Sequence, residues 1–299
     1  MNDTLNRRQL LSGSLAAAAG AALTTSAAKV AAAEPVAQVA VVVETQPRKF
    51  EVGTVTYNFL KDATLEEAIT TCERANFKCL ELRSTHKHGV EPAMTKEERK
   101  AVRERFTKTP VKLFGLGSAC EFHAEKPDVV KKNIEEAKAF VALAADVGAV
   151  GVKVRPNALP KSVAVEDTLK QIGHAAQEVA KFAEQHKVEI WFEVHGPGTS
   201  DPAAVKKIID HAAHPLVGVT WNSNPTDLKN GSIAEGFALL KNHIRCVHIH
   251  DFYDPYPYRE LFALLRGIGY DRFVEAESPE TKDPLRVMKY YRAMFEMLA

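Results

Sequence analysis

The chain is poor in sulfur, and what it has is not organised. Four cysteines occur in 299 residues, at Cys72, Cys79, Cys120 and Cys246, with no C-x-x-C spacing. A zinc ribbon is therefore excluded, and buried free thiols are the simplest expectation. An excess of one charge is also missing, since Lys plus Arg is 39 and Asp plus Glu is 38. Without a basic field nothing would hold a phosphate backbone, so nucleic acid is not an expected partner. No long, strongly apolar run is present. The one candidate, ending near Ala28, is rich in Ala and Gly, too weakly hydrophobic for a stable membrane span of the mature chain. The turn after the first predicted strand reads Asn58-Phe59-Leu60-Lys61-Asp62. It lacks the glycines of an open doubly wound sheet.

What is present begins with Asn6-Arg7-Arg8-Gln9-Leu10-Leu11, a small apolar run, Lys29, and Ala31-Ala32-Ala33 before Glu34. Paired arginines ahead of a modest apolar stretch read as a twin-arginine export signal. The expected organisation is a signal at 1–33, a tether at 34–48 and one domain at 49–299, with the folded protein delivered to the periplasm. That route suits a protein loaded with a metal before export. Composition is ordinary for a soluble domain, 45% hydrophobic and 26% charged, enough to bury a core. Self-association is left open.

Beyond residue 48, short β-type runs alternate with longer amphipathic stretches. Strands are predicted at 53–57, 78–83, 111–116, 151–155, 189–194, 217–221, 246–250 and 273–277. Helical patterns lie near 65–76, 95–107, 128–148, 163–187, 202–213, 233–242, 258–267 and 283–298. Thr64 and the segment from Ser162 to Asp167 offer helix starts. Eight such alternations in about 250 residues predict a single-domain α/β fold, the (β/α)8 TIM barrel.

Both faces of a barrel strand should be apolar except at the mouth. Polar residues at strand ends therefore stand out. They are Glu81-Leu-Arg83 with His86 and His88, Lys153-Val-Arg155-Pro-Asn157, Glu193-Val-His195, Trp221-Asn222-Ser-Asn224, His248-Ile-His250-Asp251 and Glu275-Ala-Glu277. Spacing by two sets each pair on one face. Convergence of so many ionisable groups predicts a shared site, because burying them unpaired would be costly. Glu193, Asn222, His248 and Glu277 form an oxygen and nitrogen set suited to a divalent ion such as Mn²⁺, Mg²⁺, Fe²⁺ or Zn²⁺. The competing possibility is a metal-free ion-pair cluster with Lys153, Arg155 and Arg83. Periodicity alone does not separate His248 from His250. Cys120, Glu121 and His123 are placed in the loop after the third strand.

In these segments the chain resembles the xylose-isomerase-like barrel superfamily, which includes sugar isomerases and epimerases, inosose dehydratases and the endonuclease IV branch. The carriers are E-V-H at 193–195, W-N-S-N at 221–224, V-H-I-H-D at 247–251 and G-Y-D-R-F-V-E-A-E at 269–277. The resemblance implies metal ligation by Glu193, Asn222, His248 and Glu277, and it favours His248 over His250. It departs from the family at Asn222, where the usual residue is Asp. It further implies proton abstraction beside a sugar carbonyl, with Glu277 as base and His195 or Lys153 returning the proton or polarising oxygen. Arg83, His86, His88, Arg155, Asn157, Asn224 and Asp251 are the expected contacts to a small carbohydrate. The alternatives are a dehydratase or keto-glycoside lyase, a non-catalytic sugar-binding barrel, and an endonuclease IV-like phosphodiesterase.

Overall fold

Two helices begin where a threonine and the glutamate three residues later cap each other. Thr64 Oγ1 accepts from the Glu67 N–H at 3.3 Å, and the Glu67 carboxylate accepts from the Thr64 N–H at 2.7 Å. Thr95 and Glu98 repeat the arrangement at 3.2 and 2.7 Å. Each box satisfies N–H groups that the first helical turn leaves free, worth about 1 kcal/mol. A third expected start moves: Val163 N–H closes a turn on the Pro160 carbonyl, and the helix begins only at Val165 with no side-chain cap.

The computed structural model describes residues 47–299. The expected export signal and nearly all of the tether lie outside them. The elements run β1 (Glu51–Val55), α1 (Leu65–Ala75), β2 (Cys79–Arg83), α2 (Lys96–Thr107), β3 (Lys112–Glu121), α3 (Pro127–Val147), β4 (Gly151–Arg155), α4 (Val165–Ala183), β5 (Glu189–Glu193), α5 (Pro202–Ala212), β6 (Val217–Asn222), α6 (Ala234–Leu240), β7 (Ile244–Ile249), α7 (Tyr258–Gly267), β8 (Phe273–Ala276) and α8 (Pro284–Leu298). All strands are parallel and the sheet closes, β8 pairing with β1 so that Phe273 lies opposite Glu51. This is the predicted TIM barrel. One strand is longer than expected: β3 continues to Glu121 and pairs it with Arg155, so Cys120 and Glu121 belong to the barrel wall rather than to a loop.

The apolar core lies mainly between strands and helices, but a smaller plug fills the lower barrel. Trp191, Cys79, Phe114 and Cys246 form it, with Phe273 against them. Trp191 fits because β3 and β4 carry glycine there. A Cβ on Gly115 or Gly151 would stand 2.8 or 2.3 Å from the indole ring. Burying such a ring contributes roughly 4–6 kcal/mol. Below it, Arg272 makes a two-pronged contact with Glu189 at 2.6 and 2.7 Å. The plug closes one end, so polar groups above it open only toward the C-terminal ends of the strands. Among the described residues, no helix is long and apolar enough to cross a membrane. All four cysteines are free and buried.

Candidate active site at the barrel mouth

The imidazole of His248, on β7, stands at the centre of the polar interior. Its Nδ1 lies 3.2 Å from Glu277 Oε2, just beyond β8, and 3.7 Å from Glu193 Oε1 on β5. Its Nε2 lies 3.4 Å from Glu81 Oε2 on β2 and 3.5 Å from Glu275 Oε2 on β8. Lys153 on β4 donates to Glu193 Oε2 at 2.8 Å and faces Glu81 Oε1 at 4.0 Å. Each of these residues points inward because strand side chains alternate. They meet because the sheet closes.

Burial shapes the electrostatics of the cluster. Burial alone would push the Lys153 ammonium down, but Glu193, Glu81 and Glu277 raise it above its ordinary value, so Lys153 stays charged. Burial likewise opposes the charge on Glu193, yet Lys153 and His248 hold that carboxyl well below the usual range. For His248 desolvation is again outweighed, chiefly by Glu81, and the imidazole is raised well above its ordinary value. Glu275 behaves differently. Burial, helped by the charge of Glu81, pushes its carboxyl up against the pull of His248. It also accepts from the thiols of Cys246 at 2.8 Å and Cys79 at 3.3 Å.

The donors fit a divalent cation. Glu193, His248 and Glu277 each offer a ligand atom, and these atoms lie within 4.8 Å of one another. Asn222 pairs in register with His248, and its Oδ1 is buried without a hydrogen-bond partner among the described residues. A buried carbonyl oxygen left open on the strand beside His248 is a donor that a hard cation can use. Four carboxyl groups, Glu81, Glu193, Glu275 and Glu277, surround the two basic side chains Lys153 and His248, an acid-rich setting that suits a divalent cation.

A cavity of about 90 Å³ opens above this cluster, lined by Tyr57, Arg83, Lys153, Arg155, His195 and Glu277 among others. Of the residues expected to act, Glu193, Glu277, Lys153 and His195 all reach it. His195 lines the cavity, and its Nδ1 is buried with no hydrogen-bond partner among the described residues. Arg83 also lines the cavity, and among the described residues its guanidinium donates only to the carbonyl and hydroxyl of Ser84. Arg155 is present too, but its charge is met by Glu121 at 2.5 Å.

Other expected substrate contacts have different work. His88 Nε2 bonds the Arg83 carbonyl at 2.8 Å, and its Nδ1 accepts from Val90 N–H at 3.0 Å. Both ring nitrogens are thus used by their own loop, and His88 braces Arg83 instead of meeting a ligand. His86 bonds Thr56 Oγ1 at 2.8 Å and stacks near Tyr57; burial, with His88 and Arg83 adding, lowers it to about 4. Asn224 donates to the carbonyls of Val194 and Asn222, tying the ends of β5 and β6 together. Asn157 adopts a left-handed backbone (φ 65°) against Gly196 and does not line the inner cavity. Asp251 and His250 lie in a separate, outer cavity.

Glu81 and Glu275 hold His248 from beneath, and neither was assigned a role from sequence. Their only signal was spacing, two residues before Arg83 and Glu277. Nothing in the sequence links Asp227 to Tyr256 and Trp221 either. Tyr256 donates to Asp227 at 2.7 Å and accepts from Trp221 Nε1 at 3.1 Å, a chain that ends beside Asn222.

A barrel with this ring of strand-end donors has counterparts. Residues 69–298 match the family described as Xylose isomerase-like TIM barrel. The chain belongs to this family. No curated protein matches it in sequence. Among solved structures it is similar to the 3-keto-D-glucoside 4-epimerase from E. coli, with a TM-score of 0.69 and 13% identity over 83% of this chain and 100% of that one. It is similar to D-psicose 3-epimerase from Clostridium cellulolyticum, solved with D-tagatose, with a TM-score of 0.71 and 13% identity over 83% and 98% of the two chains. It is also similar to the IolI protein with a zinc atom bound, with a TM-score of 0.66 and 16% identity over 82% and 97%. At such identities these likenesses establish the shared barrel. Among neighbours of this xylose isomerase-like barrel, sugar epimerases recur.

Proposed function

We propose that this barrel is a metal-dependent isomerase or epimerase acting on a keto sugar by proton abstraction next to the carbonyl. The observation that carries the reading is the convergence of Glu193, His248 and Glu277 beside the open Asn222 Oδ1. When bound there, a divalent cation would supply positive charge to the substrate oxygens. The remaining work falls to side chains. Glu277 Oε takes the proton from the carbon beside the carbonyl; the C–H electron pair forms the new carbon–carbon double bond, and the carbonyl π pair moves onto its oxygen, giving an enediolate. Lys153 is held charged, so it hydrogen-bonds and stabilises developing negative charge instead of acting as a base. His195, on the cavity wall, returns a proton. Return to the same carbon from the other face gives an epimer; return to its neighbour gives an isomer. Arg83 binds substrate hydroxyls or an acidic group.

The test is metal content and solvent deuterium incorporation into keto sugars for the full-length protein and Glu277→Gln. About one equivalent of metal and exchange that is lost in the variant are expected. Tight sugar binding with no exchange would replace this reading with a non-catalytic barrel. Export by the twin-arginine route is part of the same proposal, resting on Arg7 and Arg8. Retention of an Arg7→Lys, Arg8→Lys variant in the cytoplasm, with the parent in the periplasm, checks it.

A further inference from the structure

We infer that the outer cavity is a second sugar-binding site and that the substrate is a glycoside of at least two units, an inference that rests on the keto-sugar reading above. The inner cavity, at about 90 Å³, falls below the roughly 300–1,000 Å³ of small-molecule sites. It admits the reacting end of a ligand and leaves the rest outside. The outer cavity, at about 410 Å³, lies within that range. The two share a wall, because Tyr57 and Glu277 line both. A ligand with its carbonyl beside Glu277 therefore continues past Tyr57 into the outer space.

The lining of that space suits an uncharged sugar. Tyr253 is 82% exposed and Tyr57 42%, so two aromatic rings stand open at a polar rim. An exposed ring face of this kind covers the C–H face of a pyranose, while its hydroxyl remains a hydrogen-bonding tip. Asp251 and Asp254 line the same cavity and have no ion pair among the described residues, whereas Glu280 is taken by Lys61 at 2.6 Å. Two free carboxylates are strong acceptors for sugar hydroxyls and would repel an acidic second unit. The positive side chains Arg83, Lys153 and Arg155 line only the inner cavity. The mouth is thus divided, with an inner end of mixed cations and carboxylates for the reacting unit and an aromatic, acidic outer end for a neutral one.

The experiment compares D-fructose with isomaltulose, a disaccharide ending in a fructose unit, on the full-length protein with Mn²⁺. Titration calorimetry gives affinity and solvent deuterium exchange gives turnover. Isomaltulose is expected to bind about tenfold more tightly, the size of one stacking contact. Tyr253→Ala and Asp251→Asn should bring the ratio of the two affinities toward one. Equal affinities in the parent protein, or a preference that survives both variants, would overturn the two-unit site and leave the keto-sugar reading standing. Absence of binding and exchange with both sugars would remove both readings together.

Discussion

His248 Nδ1 lies 3.2 Å from Glu277 Oε2, while the opposite nitrogen of the same ring faces Glu81 at 3.4 Å. One edge of the imidazole points to the mouth and the other into a closed interior. Carboxylates behind a ligating histidine fix its ring orientation and raise its basicity. Glu81→Gln should therefore weaken Mn²⁺ binding by about 10- to 100-fold, read by titration calorimetry. Unchanged affinity would show that Glu81 serves packing alone.

Lys153 and Glu193 form a buried pair at 2.8 Å, and removing one partner leaves the other charge unmatched. Lys153→Met should cost about 3–5 kcal/mol in chelated protein, lowering Tm by roughly 10 °C. The double variant Lys153→Met, Glu193→Gln should recover part of that loss. Thermal melts of the single and double variants decide the matter, and equal losses in both would exclude the uncompensated charge as the cause.

Gly117 gives Glu81 its place. A Cβ there would stand 2.6 Å from Glu81 Oε1 and 3.3 Å from the Arg83 backbone. Gly117→Ala should displace the carboxylate and destabilise the fold by about 1–3 kcal/mol. Mn²⁺ affinity should fall with it, because His248 loses its support. A stable variant with full affinity would mean that the wall yields without moving Glu81.

Asp227 gives a pH signature. Burial pushes its carboxyl up to about 7 against the hydrogen bonds from Tyr256 and Asn224. An acid raised in the folded state favours folding fully below its unfolded value, near 4, and loses that contribution as pH rises toward 7. Asp227→Asn should thus gain stability over the parent between about pH 4 and pH 7, by roughly 10 °C in Tm at the upper end. His86, lowered to about 4, contributes the opposite slope below pH 6.5 and is common to both proteins. A Tm difference that stays constant with pH would remove Asp227 as the source.

The strand ends were legible because their signal is local. Glu193 with His195, and His248 with His250, fall on shared faces by the two-residue period alone. That a single face carried both Lys153 and Arg155 was equally plain, but their fates differ. Arg155 is drawn to Glu121 because β3 runs five residues beyond its predicted end at 116, and a register shift brings Glu121 alongside. Loop histidines were hardest to read, since backbone carbonyls that capture His88 become available only when the loop folds.

From its order of elements and strand periodicity, the chain by itself determined a closed barrel and the candidate donors Glu193, Asn222 and Glu277, while the family resemblance was needed to choose His248 over His250. Backbone geometry decides which residues of a strand share a face, and it does so within a few residues. Only the tertiary structure decided that Glu81 and Glu275 reach beneath His248, that Lys153 faces Glu193, and that the mouth divides into two cavities. Those distances run across the barrel, and they depend on the summed registers of eight strands, including shifts at Leu80/Glu81, Gly117/Glu121 and Val219/Thr220. No local pattern contains that sum.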